Sequence, residues 1–342
     1  MNTTQIKPMP VPRGPAAHRD AGETDGGGGG GGKWAVARKW LTWAFFAAVL
    51  GLLVSHARSV DWGQVWQTLR GYPAGTLALA GGLALLSYLI YSSFDLFGRA
   101  YTGHRLSTPT VLGVAFISYA FNLNLGALVG GVAFRFRLYS RLGLDKAAIG
   151  QVLGLSVLTN WLGYCALAGV VFALGGIEVP GNWKISSETL QLLGIVLLVA
   201  VASYLAACAF SRRRSWMVRG HELNLPSWRV GVLQVLLSGA NWLTITAVVY
   251  VLLQQQLAYG VVVAVLLVGA VAGVLTHVPA GLGVLEAVFV ALLGSQLSQG
   301  QLLGALVAYR ALYYLAPLAL AGLLYARLEA RARRLQAAAG QD

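Results

Sequence analysis

Long apolar runs alternate with short basic stretches along most of this chain, and the run lengths predict helices that cross a membrane. Crossing about 30 Å of hydrocarbon takes about 20 helical residues. Six runs approach or exceed that length, at approximately 40–57, 76–98, 147–174, 190–210, 230–252 and 301–326. Two further apolar stretches, about 110–133 and 257–297, carry helix breakers in their middles. The first breaks at Asn122–Leu123–Asn124–Leu125–Gly126, the second at His277–Val278–Pro279–Ala280–Gly281–Leu282–Gly283. Backbone broken at membrane depth survives only where protein or water satisfies its N–H and C=O groups. We read both stretches as hairpins. The arms of the second are long enough to form two full spans instead, which leaves the topology unchanged. The expected fold is therefore an all-α polytopic membrane protein of six full spans plus two membrane-inserted broken-helix hairpins.

Positive charge decides how the broken stretches are threaded. With both as hairpins, eighteen basic residues fall on one side, from Lys33, Arg38 and Lys39 at the start to Arg327, Arg331, Arg333 and Arg334 at the end. Only Arg58, Arg70 and Lys184 fall on the other. Reading each broken stretch as a single span divides the same residues six against fifteen. Cytoplasmic segments are the basic ones, so the hairpin reading wins and both termini are expected in the cytoplasm.

The segments then repeat as span, span, hairpin, span, twice over. Their starts pair as 40 with 190, 76 with 230, 110 with 257 and 147 with 301, at nearly constant offsets. The first half starts inside and the second outside, so the halves are inverted, an arrangement that places a transporter's site where broken helices meet near the midplane. The expected organisation is a Gly-rich, disordered cytoplasmic tail over 1–37, a transmembrane domain over 38–330 with halves at about 38–175 and 190–326, and a basic cytoplasmic tail over 331–342.

Composition agrees. Mean hydropathy is +0.65, and only 11% of the 342 residues are charged, against about 25% in soluble domains. The net charge of +13 sits in clusters between spans instead of along a groove with stacking aromatics, so no nucleic-acid partner is expected. Cys165 and Cys208 lie in apolar segments and read as small buried hydrophobes. No metal-ligand spacing appears. Gly27 to Lys33 nearly imitates a phosphate loop, but Trp34 stands where Ser or Thr is required. Between the first two spans, Trp62, Val65, Trp66 and Leu69 share one helix face, suited either to the membrane interface or to packing on the spans. No cofactor is implied and no catalytic set can be assembled, so the chain is not expected to be an enzyme.

Ionisable residues within apolar segments are costly and mark function by default. Asp95 ends the second run, Arg135 and Arg137 end the first hairpin, Glu286 follows the second break and Arg310 lies inside the last span. Glu286 with Arg310 reads equally as a buried pair locking helices or as part of a site. For Asp95, Arg135 and Arg137 the competing reading is an interfacial position with snorkelling side chains. Arg310, Tyr313, Tyr314 and Pro317 fall on one face of an ordinary helix. Asn122 and Asn124 can hydrogen-bond at the first break. Gly126, Pro279, Gly281 and Gly283 mark the breaks, and the glycines serve either close helix packing or close approach of a ligand.

Ser118–Tyr119–Ala120–Phe121–Asn122–Leu123–Asn124–Leu125–Gly126, then Arg135, Arg137 and Arg141, the run Pro279 to Glu286, and Tyr309–Arg310 through Pro317 resemble the lysylphosphatidylglycerol synthase transmembrane family. That family comprises the flippase-like domain of MprF-type proteins and their stand-alone YbhN-like inner-membrane relatives. The resemblance spans roughly residues 38–330, and Ala280 stands where the family often has glycine. MprF-type proteins carry a cytoplasmic aminoacyl-transferase domain after the membrane part. Only 16 residues follow Ala326 here, so synthase activity is not carried over. The resemblance implies a bacterial inner-membrane protein that moves phospholipids, anionic ones in particular. The substrate path would comprise Asp95, Tyr119, Asn122, Asn124, Arg135, Arg137, Glu286, Arg310, Tyr313 and Tyr314. The alternatives are a secondary transporter of a small solute and a non-transporting scaffold for a lipid-synthesis enzyme.

Overall fold

The computed structural model describes residues 62–175, 186–212, 215–218, 221–276 and 283–339. The expected first span, 40–57, and the breakers Pro279 and Gly281 lie outside them. A short helix, α1 (Trp62–Arg70), stacks the Arg70 guanidinium over the Trp66 ring at 4.5 Å. There follow α2 (Ala74–Thr102), α3 (Thr108–Leu125), a π-helix π1 (Ala127–Ala133), α4 (Phe134–Arg141), α5 (Lys146–Ala173) and α6 (Ser187–Phe210). The second part comprises α7 (Trp228–Leu252), α8 (Tyr259–Thr276), α9 (Val284–Leu293), α10 (Gln299–Tyr309), a π-helix π2 (Arg310–Leu315) and α11 (Ala316–Ala339). The all-α expectation is met, with one small local addition. β1 (Ser215–Val218) and β2 (His221–Asn224) pair antiparallel, from Ser215 opposite Asn224 to Val218 opposite His221. They form a small ribbon in the connection between α6 and α7.

Six helices among the described residues are long and apolar enough to cross a membrane: Ala74–Thr102, Lys146–Ala173, Ser187–Phe210, Trp228–Leu252, Tyr259–Thr276 and Gln299–Arg327. Five coincide with expected spans. The sixth, Tyr259–Thr276, was expected as one arm of the second hairpin. Its companion α9 has only 10 residues, too few to cross at 1.5 Å rise per residue.

At both broken stretches the segment after the break packs against the segment before it. At the first, α3 ends on Gly126, whose φ of 85° belongs to the region open to glycine. The return segment π1 runs back along α3. A Cβ on Gly130 would collide with the backbone of Phe121 and Asn122, and one on Gly131 would sit 2.8 Å from the Asn122 side-chain oxygen. Phe121 and Phe134, one on each arm, stack at 4.0 Å between centroids. At the second stretch, α9 packs against α8, with Leu285 2.6 Å from where a Cβ on Gly269 would stand.

The packing partners correspond across a shift of about 150 residues. The starts of α2 and α7 (74 and 228), α3 and α8 (108 and 259), and α5 and α10 (146 and 299) are 154, 151 and 153 residues apart. α2 packs directly on α7, and the buried bond from Ser87 Oγ to Asn241 Oδ1 (2.8 Å) joins residues 154 apart. α2 meets α3 and α5 as α7 meets α8 and α10, while α3 packs on α11 as α8 packs on α5. A residue touching its counterpart at the same offset is what an axis relating two halves requires.

The return arm of the first hairpin is held by a sealed ion pair. Arg135 on α4 donates from Nε to Asp95 Oδ2 (3.2 Å) and from Nη2 to Oδ1 (3.1 Å). The same Nη2 reaches Ser156 Oγ at 3.2 Å, and Tyr139 Oη donates to Asp95 Oδ2 at 2.9 Å. The arginine and aspartate side chains are 2% and 0% exposed. Bidentate geometry and the added hydrogen bonds offset the cost of desolvating both charges. Removing one partner strands the other, so Asp95→Asn should cost about 3–5 kcal/mol and lower the thermal unfolding midpoint in detergent. Replacing Asp95 and Arg135 together with apolar residues should recover most of it. An unshifted midpoint in the single variant would show that the pair does not hold the hairpin.

Candidate functional site: an aromatic cavity beside a half-buried ion pair

Breaking a helix frees backbone carbonyls, and the carbonyls freed here are taken by side chains of other helices. Pro317 has no N–H and clashes with the carbonyl four residues back, which is that of Tyr313. The helix answers with the wide turn of π2. Tyr88 Oη on α2 donates to the Tyr313 carbonyl at 3.1 Å, and Asn124 Nδ2 on α3 donates to the Tyr314 carbonyl at 3.2 Å. The wide turn also redistributes the expected face. Arg310 lies 5.6 Å over the Tyr314 ring, whereas Tyr313 turns into the bundle. Its hydroxyl bonds to Ser87 Oγ (2.7 Å) and Tyr119 Oη (3.0 Å). A polar chain thus runs from Tyr119 through Tyr313 and Ser87 to Asn241. Tyr91 and Tyr119 stack beside it at 3.6 Å.

This cluster forms one wall of a cavity of about 340 Å³. Eight rings face it: Tyr91, Tyr119, Tyr309, Tyr313 and Tyr314 on one side, and Trp161, Tyr164 and Trp242 on the other. The last three pack edge to face, with centroids 5.2 to 5.5 Å apart. Asn122 and Asn160 supply amides, and no charged side chain is among the lining residues. Ala127, Trp161 and Val274, also lining it, are exposed on the outside of the bundle, Trp161 to 41% and Val274 to 53%. The cavity thus has a largely apolar, aromatic lining with two amides, and three of its lining residues are exposed.

At the border, next to the lining residues Leu285, Tyr309 and Tyr314, Arg310 grips Glu286 with two bonds, one of them Nη2 to Oε2 at 3.0 Å. Glu286 occupies the first turn of α9, where a carboxylate also meets the positive end of the helix dipole. The arginine and glutamate side chains are 14% and 21% exposed, so this pair, unlike Asp95 with Arg135, is open to a ligand.

Of the residues expected on the path, Tyr119, Asn122, Tyr313 and Tyr314 line the cavity, and Glu286 and Arg310 pair at its edge. Asn124 stands behind, bonded to the Ala120 and Tyr314 carbonyls. Arg137 donates to Tyr325 Oη at 2.8 Å, away from the lining. Asp95 and Arg135 are not among the residues lining the cavity. They are sealed behind Tyr91, 5.8 Å from the guanidinium, and neither is an exposed snorkelling residue. Of the breakers, Gly126 and Gly283 both take positive φ. Sequence reasoning missed Tyr91, Asn160, Trp161, Tyr164, Trp242 and Tyr309. A polar amide amid the long apolar run of α5 was the one signal that could have singled out Asn160. The aromatic rings are indistinguishable by type from ordinary core.

The chain matches the family described as lysylphosphatidylglycerol synthase TM region over residues 40–321. It is 49% identical to the Escherichia coli inner membrane protein YbhN over 306 residues, covering 89% of this chain and 96% of that one. Identity to the Synechocystis protein slr0712 is 29% over 281 residues, 81% of this chain and 87% of the relative. A phosphatidylglycerol lysyltransferase of Staphylococcus haemolyticus is 24% identical over 298 residues, which cover 82% of this chain but 32% of that protein. A match across nearly the whole membrane part, with a relative sharing about half its residues end to end, identifies this chain as a member of the lysylphosphatidylglycerol synthase transmembrane-region family.

Proposed function

We propose that this protein translocates phospholipids across a bacterial inner membrane, passing the headgroup through the aromatic cavity while the acyl chains remain in lipid. One observation carries the reading: a cavity lined by aromatic and aliphatic side chains, with amides from Asn122 and Asn160, includes the exposed residues Ala127, Trp161 and Val274 among its lining. A site for a water-soluble solute has no use for an apolar mouth, whereas a lipid must enter sideways with its chains outside. The inner-membrane setting is supported by the name of the E. coli relative, and a phosphatidylglycerol-based lipid by that of the staphylococcal one.

In this reading the halves about 38–175 and 190–326 are inverted copies, and both hairpins sit within the membrane. Arg310 receives the phosphate. Its planar fork suits phosphate as well as carboxylate, so an entering phosphate competes with Glu286 for the same donors. The eighteen-to-three division of basic residues supports cytoplasmic termini.

Two experiments check this. Reporter fusions at residue 342 and in the 175–189 connection should report the cytoplasm and the opposite side respectively. A C-terminal fusion located outside would overturn the orientation. The second compares Glu286→Gln with Arg310→Gln in one chain. Neutralising both partners removes the stranded charge, so the double variant should fold. In proteoliposomes it should lose lipid flipping, because the phosphate has lost its cation. Full flipping by that variant would remove Arg310 from the site.

A further inference from the structure

We infer, resting on the lipid-translocating reading, that Glu286 takes up a proton when a phosphate takes its arginine. A lipid whose only charge is its phosphate therefore crosses together with one proton, moving the same way.

Glu286 has its charge balanced by one partner. With the site empty, the carboxylate and the Arg310 guanidinium cancel through two bonds, one of them Nη2 to Oε2 at 3.0 Å. A phosphate that takes the guanidinium fork brings a negative charge of its own. Arginine, phosphate and carboxylate then sum to minus one, and Glu286 is left without a cation.

No neighbouring element supplies a second one. Among the described residues, α9 carries no charged side chain besides Glu286, and α8 and α10, which pack against it, carry none. On π2 the one charged side chain is Arg310 itself. The titratable groups on these elements are phenols. Tyr259, at the start of α8, donates to the Leu243 carbonyl at 2.6 Å. Tyr309, Tyr313 and Tyr314 lie at the cavity. A phenol can give a carboxylate a hydrogen bond but brings no charge. Nothing among the lining residues is charged, and Arg135 is engaged with Asp95 behind Tyr91. The first turn of α9 offers about half a unit of positive charge, less than the arginine did. At 21% exposure the side chain is too enclosed for water to stand in for the lost partner, yet open enough to exchange a proton. Burial without a counter-charge favours the neutral acid over the carboxylate.

One proton restores neutrality. Glu286 takes it from water on the side where the lipid enters and returns it to water on the side where the lipid leaves. There the carboxylate closes on Arg310 again and expels the phosphate. Both forms that cross are then neutral: the empty ion pair, and the site holding phosphate and proton. Phosphate without the proton would carry a bare charge through the membrane interior, which is costly. A headgroup with an ammonium beyond its phosphate can offer that cation to Glu286 in place of the proton, so the coupling belongs to lipids that lack one.

Binding is tested on the full-length protein in detergent, titrated calorimetrically with a short-chain, water-soluble phosphatidylglycerol in buffers of different ionisation enthalpy. About one proton should be taken up per lipid bound. Because a proton bound with the ligand is linked to its affinity, the Kd should rise about tenfold for each unit of pH near neutrality. Binding without proton uptake, or no binding, overturns the inference. Glu286→Gln, which resembles the neutral acid, should bind without taking up a proton, and uptake that persists in it overturns the assignment to Glu286. Where that variant does not fold, the wild-type uptake and its pH dependence decide. Transport is tested in proteoliposomes carrying a trace of acyl-labelled phosphatidylglycerol. With the potential clamped at zero, a pH gradient of one unit should enrich the label about tenfold in the leaflet on the alkaline side, the equilibrium for one proton per lipid. A potential imposed without a pH gradient should leave the label evenly distributed, because the loaded site is neutral. Label that follows the potential and ignores the pH gradient overturns the inference and leaves translocation standing. If no lipid moves under either gradient, the translocating reading falls and the coupling with it, while proton uptake on binding still decides the exchange at Glu286.

Discussion

A helix interrupted inside a membrane exposes carbonyls that no water is available to satisfy, and the arrangement of this bundle follows from how those groups are covered. Pro317 orphans the Tyr313 carbonyl, and Tyr88 reaches across from another helix to cap it. Asn124 caps the next carbonyl from a third helix. Each cap fixes a neighbour in place, so the interruption that costs a helical bond also ties α2 and α3 to π2. The tyrosines clustered at this junction are there because a phenol carries a hydrogen-bonding tip on a body that packs like any other apolar ring. The cavity wall and the capping network are the same set of side chains.

The two buried ion pairs illustrate how similar chemistry serves different ends. Each draws one partner from the segment that follows a broken stretch: Arg135 beyond Gly126, Glu286 beyond Gly283. The first is enclosed by Tyr139, Ser156 and Tyr91, with every atom of the carboxylate engaged. Nothing can replace a partner without emptying the site. The second is partly exposed and stands beside a cavity. Exposure of one fifth against none thus separates a latch from a candidate binding group. Neutral lining and paired charges give the chamber little electrostatic pull of its own.

Several features were fully legible in the sequence. Apolar length alone located five of the six crossing helices, because a span must be about 20 residues long whatever it packs against. The break at Gly126 was visible because a glycine after Asn122–Leu123–Asn124 interrupts an apolar run that side-chain burial would otherwise continue. The pairing of Glu286 with Arg310 could be weighed because two lone opposite charges in apolar surroundings have few other ways to be satisfied. What the sequence could not decide is which rings face a cavity and which fill the core. Tyr91, Tyr164, Trp161 and Trp242 are spaced like any buried aromatic, and only the crossing of α2, α5 and α7 turns them toward one space. The same holds for Asp95 and Arg135. Local pattern places both near segment ends, where a charge normally reaches water. Only the folding back of π1 and α4 carries the arginine 40 positions along the chain to meet the aspartate and seals both from solvent. Length and charge act on the chain one segment at a time, and burial is set by what other segments bring.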